Sequence, residues 1–245
     1  PALGSAEARG VLFNAVLPTI SGAKVVLRSG FGPRLIYVVG GIDGEGGGLS
    51  TVELYDPQTA SWKQLAGMAG PRFQHGCVAL DGKLYAVGGF GATDQDLDTA
   101  EVYDPQADRW QPLANMSTAR CGFGLATVGG KIYAIGGWHG GMALTSVEAY
   151  DPQLGSWAPV ASMSRKRSNH ASVVLDGKIY AMGGYDSGVL DTVEGYDPQA
   201  DSWQRVASMP QGLQCHVATA IGGKIYVTCG ANQGRAEVNS VSVYD

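Results

Sequence analysis

The chain has 245 residues, a net charge of −5 and 44% apolar residues, a composition typical of globular proteins. The acidic balance argues against a general nucleic-acid binder, which needs a basic surface to displace counterions from phosphates. No apolar run reaches the roughly 18 residues of a membrane-spanning helix. The 37 glycines, together with tyrosine and tryptophan, are typical of many short strands joined by tight turns, so we predict an all-β fold.

The first 33 residues precede the recognisable repeats, and we assign 1–33 to an N-terminal arm or to the remnant of an upstream domain. Within this region, segments 11–16 and 24–28 are β-capable and could supply the two missing strands, which are strand d of the fifth repeat and strand a of the first. Alternatively, residues 6–17 are the end of a helix from an upstream domain. The sequence leaves both interpretations open.

Residues 34–245 contain five copies of one unit, spaced 46 to 48 residues apart. In four units an apolar run ends in Gly-Gly, and in all five a Tyr-Asp pair follows 12 to 14 residues later. In the first four units a tryptophan lies seven residues after the tyrosine, and a methionine lies six residues after the tryptophan. In the fifth unit Cys229-Gly230 replaces the double glycine, and the chain stops at Asp245 before a tryptophan. Units of this length predict a repeat architecture in which each unit packs on its neighbours.

Each unit is predicted to form four antiparallel strands, a to d. In the second unit these are 76–80, 83–88, 99–103 and 109–113, with a two-residue Asp81-Gly82 hairpin turn between a and b. Asp104-Pro105 ends strand c, because proline has no N–H to donate to the ladder. The tyrosines, tryptophans and double glycines are expected to be structural.

The order Gly-Gly, Tyr-Asp-Pro, Trp, then Met-x-x-x-Arg resembles the Kelch repeat of Kelch-like proteins. The resemblance implies a Kelch β-propeller of four-stranded blades, usually six in this family. Many members are substrate receptors of cullin-3 ubiquitin ligases, with BTB and BACK domains ahead of the propeller. Two departures stand out: neither of these domains is present, and only five units are visible. Either a sixth unit was lost by truncation, or the N-terminal segment closes the ring.

Function is expected on the face where the b–c and d–a loops meet, because the b–c loops vary in composition on an otherwise constant framework. An arginine follows the repeat methionine by four residues in three d–a loops, and aromatic residues often follow the double glycine. Arginine binds carboxylates bidentately, and aromatic side chains anchor interfaces. The alternative is that each arginine caps carbonyls or pairs with a neighbouring blade. The predicted partner-binding residues are Arg72, Phe73, Gln74, Phe90, Arg120, Trp138, His139, Arg167, Ser168, Asn169 and Tyr185.

Other candidate chemistry is weak. His75, His170 and His216 recur at one position of separate units, with no short metal-ligand spacing between them, so we expect structural roles. The Asp94-x-Asp96-x-Asp98 pattern lacks the glycine and glutamate of a calcium loop and is interpreted as a solvated acidic loop. The four cysteines are expected to be reduced and mostly buried.

We therefore predict a protein-interaction module that binds a short peptide or loop carrying Asp, Glu or phosphate. The resemblance implies that this ligand is a ubiquitylation substrate, in a cullin-3 context supplied by a BTB-BACK region. The alternatives are a scaffold that binds actin or another filament and, as a third class, an enzyme resembling galactose oxidase, for which no suitably spaced ligands are visible. We expect no enzymatic activity, cofactor or metal, no nucleic-acid or membrane partner, and a cytoplasmic or nuclear location.

Overall fold

The structure is a computed structural model that describes residues 24–27, 35–93, 95–234, 236–238 and 240–244. Every regular element in these residues is a β-strand. Blade 1 comprises β1 (Lys24–Leu27), β2 (Ile36–Ile42), β3 (Gly48–Asp56) and β4 (Ser61–Leu65). Blade 2 comprises β5 (Gly76–Leu80), β6 (Lys83–Val87), β7 (Ala100–Asp104) and β8 (Arg109–Pro112).

Blades 3 and 4 repeat this arrangement, and the described residues of blade 5 form its first three strands. Blade 3 comprises β9 (Gly124–Val128), β10 (Lys131–Ile135), β13 (Val147–Asp151) and β14 (Ser156–Val160), with a small hairpin of β11 (Trp138–His139) and β12 (Met142–Ala143) in its b–c loop. Blade 4 comprises β15 (Ala171–Leu175), β16 (Lys178–Met182), β17 (Val193–Asp197) and β18 (Ser202–Val206). Blade 5 comprises β19 (Val217–Ile221), β20 (Lys224–Thr228) and β21 (Val241–Tyr244).

The structure confirms a β-propeller of five blades, in each of which consecutive strands pair antiparallel. The a strands of successive blades contact one another, which places them toward the centre and the d strands at the outer rim. The segment Lys24–Leu27 pairs with β2 and is strand a of blade 1, as one interpretation of the sequence predicted. The other candidate strand, 11–16, lies outside the described residues.

The a–b connections are the predicted two-residue hairpins. Asp81 and Gly82 have φ values of 49° and 75°, and Asp176 and Gly177 have φ values of 49° and 73°. A positive φ at both central residues defines the type I′ turn, whose twist matches that of the flanking strands. These turns are short and alike, so the variation in loop composition lies on the opposite face of the propeller.

The hydrophobic core lies between blades. In blade 2, Leu84, Ala86 and Tyr103 pack against blade 1, whereas Tyr85 and Val102 pack against blade 3. This follows from the period-two alternation of side chains along a strand. Each blade is therefore stabilised on both faces by its neighbours, as expected for stacked repeats.

Tyrosine and tryptophan join adjacent blades at the outer rim. In four blades the tyrosine near the end of strand c lies 4.9 to 5.3 Å from the tryptophan of strand d, between ring centroids. In three of these blades the indole N–H also donates a hydrogen bond of 2.8 to 3.0 Å to an alanine carbonyl of the preceding blade. In blade 5 the Tyr244 hydroxyl donates to the corresponding carbonyl, that of Ala207, at 2.7 Å.

The double glycine is required by the close approach of the next d–a loop. Gly88 has a φ of 59°, and a Cβ there would lie 2.6 Å from the Arg120 carbonyl oxygen and 2.9 Å from the Phe123 ring. The following N–H, that of Gly89, donates to the same carbonyl at 2.9 Å. Side chains are excluded because this backbone contact joins one blade to the loop leading into the next.

Candidate functional site

The b–c and d–a loops meet on one face of the propeller, which we call the loop face. In blades 2 to 5 the residue after the double-glycine position forms a β-bridge with a d–a loop residue. The four bridges are Phe73–Phe90, Cys121–Trp138, Ser168–Tyr185 and Gln214–Ala231. The predicted aromatic residues are thus fixed in place by backbone pairing.

An inner row of four residues lies beside these bridges. Gln74, Gly122, Asn169 and Cys215 all have left-handed backbone, with φ between 50° and 54°. Their backbones form a chain of hydrogen bonds from blade to blade: Gly122 N–H to Gln74 O at 2.9 Å, Asn169 N–H to Gly122 O at 2.6 Å, and Cys215 N–H to Asn169 O at 2.8 Å. The row gives the loop face a rigid centre.

The aromatic side chains of the loop face are partly open to solvent. Phe73 and Phe90 are half-buried and stack on each other with ring centroids 5.1 Å apart. Trp138 and Tyr185 are also half-buried. His139 is exposed, and its Nδ1 lies 3.0 Å from the Asp96 carboxylate of the neighbouring blade. Gln74 is exposed and Asn169 half-buried, so most of the predicted residues reach the surface.

The three predicted arginines do not reach the surface. Arg72, Arg120 and Arg167 are 4%, 0% and 0% exposed, and each guanidinium forms an ion pair of 2.7 to 2.8 Å with a buried glutamate. The expectation that they form a basic mouth for a ligand was therefore wrong. The alternative, capping of carbonyls and pairing with a blade, is what the structure shows.

The contacts of Arg120 are typical of all three arginines. Its Nη1 donates to the carbonyls of Gly136 and Ser146 at 2.8 and 3.0 Å, and its Nη2 donates to Glu148 at 2.7 Å. Its own carbonyl accepts the N–H of Gly89 in the preceding blade. Arg120 therefore joins blade 2 to blade 3.

The glutamates of these pairs were missed at the sequence level. Glu101, Glu148 and Glu194 each lie two residues before the repeat tyrosine, so the register could have revealed them. Burial alone would raise the pKa of Glu194, but hydrogen bonds from Arg167 and from the Ser164 N–H bring it below its usual value. At the blade 4–5 junction Leu213 and Ser242 replace both partners together.

Ser168 is also unavailable to a ligand in this structure. It is 1% exposed, and its hydroxyl donates to the Tyr185 carbonyl at 3.3 Å. Ser168 pairs with Tyr185 through a β-bridge, and its side chain is buried there. It therefore adds no exposed polar group to the loop face. Ser168 therefore supports the aromatic residue instead.

The repeat histidines are buried between blades. His75, His170 and His216 are 0%, 7% and 6% exposed. Burial lowers the pKa of His216 to about 4, and burial together with the charges of Arg167 and His216 lowers the pKa of His170. Among the described residues, no group of three His, Cys, Asp or Glu side chains could hold a metal ion.

The exposed charge of the loop face is mainly acidic. Its described Lys and Arg residues that reach solvent are Arg165 and Lys166, and Arg165 pairs with Asp186 at 3.3 Å. Exposed or half-buried acids on the loops of this face are Asp43, Glu45, Asp96, Asp98, Asp186, Asp191 and Glu237. Asp94 lies outside the described residues, and Asp96 is engaged by His139, so the acidic loop is partly tied to blade 3.

The four cysteines form no disulfide in the described residues, and the expectation that they are mostly buried was wrong. Cys121 is buried and Cys77 half-buried, whereas Cys215 and Cys229 are exposed. Burial, followed by the nearby Asp96 carboxylate, raises the pKa of the Cys121 thiol. Within the described residues, no helix has the length and hydropathy of a membrane span.

Comparison with known proteins places this propeller in a family. Residues 33–230 match the family model of the KLHDC2/KLHL20/DRC7 Kelch-repeats domain. The chain belongs to this Kelch-repeat family, whose propellers generally serve as protein-interaction modules. No curated protein matches the chain. Among solved structures, the one titled "Structure of YjhT" is similar with a TM-score of 0.78 at 17% identity, over 92% of this chain and 84% of that chain, which supports the fold alone.

Proposed function

We propose that this chain binds a partner protein on the loop face, with Phe90, Trp138 and Tyr185 as the apolar anchors. The observation that carries the proposal is that all three are half-buried aromatic side chains held by β-bridges around the inner row. Rigid aromatic residues bury large areas at little cost in conformational entropy, and they dominate binding energy in many interfaces. Among these anchors, the exposed side-chain amide of Gln74 and the half-buried side-chain amide of Asn169 can form hydrogen bonds with the partner.

The burial of the three arginines changes the charge expected of the ligand. An acidic ligand was expected because of three arginines that are in fact buried and paired. A preference for Asp, Glu or phosphate now depends on the corner of the loop face formed by Arg165 and Lys166. Elsewhere the exposed acids favour a neutral or basic segment.

A role as substrate receptor of a cullin-3 ligase is supported by the family resemblance alone. It requires a BTB-BACK region in the protein that carries this propeller. Co-precipitation of cullin-3 with the protein expressed in cells tests this role independently of the loop face.

The loop face is tested by affinity capture followed by direct binding of the captured partner. Phe90→Ala, Trp138→Ala and Tyr185→Ala are expected to reduce binding by at least tenfold each while the melting temperature stays near that of the wild type. Leu154→Ala is the matched control, because Leu154 is 76% exposed and lies in the c–d turn on the opposite face. Loss of binding in the control variant, or undiminished binding in all three aromatic variants, would contradict the proposal.

A further inference from the structure

A groove of about 680 Å³ lies between blades 1 and 2 at the outer rim. Its wall on the blade 1 side is the d–a loop, including Gly67, Gly70 and Pro71, and its wall on the blade 2 side includes Leu97 and the d strand β8. Trp110 forms part of the lining through the indole that donates to Ala66 O at 2.9 Å. The groove runs from the c–d turn of blade 2 toward the loop face.

The groove is open here because this junction departs from the repeat. In the loop segment 67–70, the three residues around Met68 are Gly67, Ala69 and Gly70. The corresponding residues are larger at the other junctions: Asn115, Ser117 and Thr118 at blades 2–3, and Ser162, Ser164 and Arg165 at blades 3–4. A Cβ added at Gly70 would meet no atom within 4 Å, so the space beside it is empty.

A second departure lies on the same groove. Strand d begins with Ser61, Ser156 and Ser202 in blades 1, 3 and 4, but with Arg109 in blade 2. Arg109 is exposed, lines the groove and forms no ion pair within the described residues. An unusual cation and an unusual cavity thus coincide at one junction of an otherwise regular propeller.

The acidic residues near Arg109 are already engaged. Asp108 accepts hydrogen bonds from the Tyr103 hydroxyl at 2.6 Å and the Ala66 N–H at 2.9 Å, and its pKa is lowered by these bonds and by the charge of Lys63. The Asp104 carboxylate lies opposite Arg109 in the strand pair and accepts two backbone N–H groups of its own turn; these bonds, followed by the charges of Lys83 and Arg109, lower its pKa, but Asp104 and Arg109 form no ion pair. Arg109 therefore retains the capacity to bind an added carboxylate.

We propose that this groove binds an extended segment of a partner protein through a bulky apolar side chain and an adjacent acidic side chain. The apolar group packs between Pro71, Leu97 and Leu113, and the carboxylate pairs with Arg109. Charge complementarity selects the acid, and the apolar lining supplies most of the driving force. Strand β8 on one wall spans four residues, so we expect a segment of about four extended residues to run beside it.

Nuclear magnetic resonance with 15N-labelled protein tests the proposal. The probes are two acetylated and amidated pentapeptides, Gly-Leu-Leu-Asp-Gly and Gly-Leu-Leu-Asn-Gly. The acidic peptide is expected to shift the Gly70 amide and the Trp110 indole signals, with a Kd at least fivefold lower than that of the asparagine peptide. Equal affinities, or shifts confined to other regions, would overturn the proposal.

Two variants take their residues from the other blades, so both are compatible with the fold. Arg109→Ser is expected to raise the Kd of the acidic peptide at least fivefold and to leave the asparagine peptide unaffected. Gly70→Thr, which introduces the residue found at Thr118, is expected to abolish binding of both peptides by filling the groove, because a Cβ at Gly70 meets no atom within 4 Å. An Arg109→Ser protein that binds the acidic peptide as tightly as the wild type would refute the site even if the filled variant did not fold. Shifts at Trp138 and Tyr185 instead would support the loop face and reject the groove.

Discussion

Arg120 and Glu148 form a buried ion pair in which Nη2 lies 2.7 Å from Oε1 and the two side chains are 0% and 3% exposed. The same pair recurs in blades 2 and 4 and is replaced by Leu213 and Ser242 in blade 5. A buried charge is tolerated only when it is paired and hydrogen-bonded, so the two residues are expected to be retained or replaced together.

The first prediction concerns this coupling. Arg120→Leu leaves Glu148 buried without its partner and is expected to reduce the free energy of unfolding by about 3–5 kcal/mol. Adding Glu148→Ser, which reproduces the Leu213 and Ser242 combination, is expected to restore part of that loss. Chemical denaturation of the single and double variants measures the coupling. A double variant no more stable than Arg120→Leu would show that the ion pair does not explain why Arg120 and Glu148 occur together.

The second prediction separates steric exclusion from backbone conformation at the double glycine. Gly88 and Gly129 both have a φ of 59°, but a Cβ at Gly88 would meet the Arg120 carbonyl, whereas a Cβ at Gly129 would meet nothing within 4 Å. Gly88→Ala is expected to be more destabilising than Gly129→Ala by about 1–3 kcal/mol, the cost of overpacking. Equal losses of stability in thermal denaturation would mean that backbone strain alone explains why glycine occupies position 88.

The third prediction concerns pH. The unfolded chain protonates His216 near pH 6.5, whereas in the folded protein burial lowers its pKa to about 4. Between these values the unfolded state binds more protons, so this contribution to stability is complete above pH 6.5 and is lost as the pH falls, by up to about 1.4 kcal/mol per pH unit. His216→Phe, which introduces the residue found at Phe123 in blade 3, should reduce the slope of unfolding free energy between pH 4.5 and 7. An unchanged slope would assign the pH dependence to other groups.

The fourth prediction concerns the charged corner of the loop face. Lys166 is exposed, and Arg165 is shared with Asp186. If the ligand is acidic there, Lys166→Ala should weaken binding about two- to fivefold and reduce its dependence on ionic strength. Binding that is indifferent to both Lys166→Ala and salt would restrict recognition to the aromatic anchors.

Much of the fold was predictable because glycine, tyrosine and tryptophan occupy positions that backbone geometry and inter-blade packing restrict. The predicted strands of the second unit agree with β5 to β8 within about one residue. The Asp81-Gly82 turn and the proline of Asp104-Pro105, which ends strand c, made these bounds predictable. The first strand of blade 1 was harder, since Lys24–Leu27 is not joined to β2 by the two-residue hairpin turn that marks strand a in the other blades.

The site was harder to predict because residue type does not reveal the direction of a side chain. Arg72, Arg120 and Arg167 looked like ligand-binding cations since they lie in loops, yet their side chains turn inward to glutamates on strand c. The relevant signal was the common register of Arg and Glu across blades 2 to 4 and their joint loss in blade 5. The partial exposure of the aromatic residues after the double glycine was easier to predict, because the b–c loop leaves its first residue at the surface, and their role in binding stays a prediction.

Binding through the aromatic residues of the loop face is tested most directly by the Kd of the captured partner for two variants measured side by side. Trp138→Ala removes an aromatic anchor, whereas Arg120→Leu with Glu148→Ser removes a charged pair from the interior. We expect Trp138→Ala to raise the Kd at least tenfold and the Arg120 and Glu148 double variant to stay within about twofold of the wild type. A large rise for the folded double variant with no change for Trp138→Ala would show that the loop-face aromatic residues do not anchor the partner.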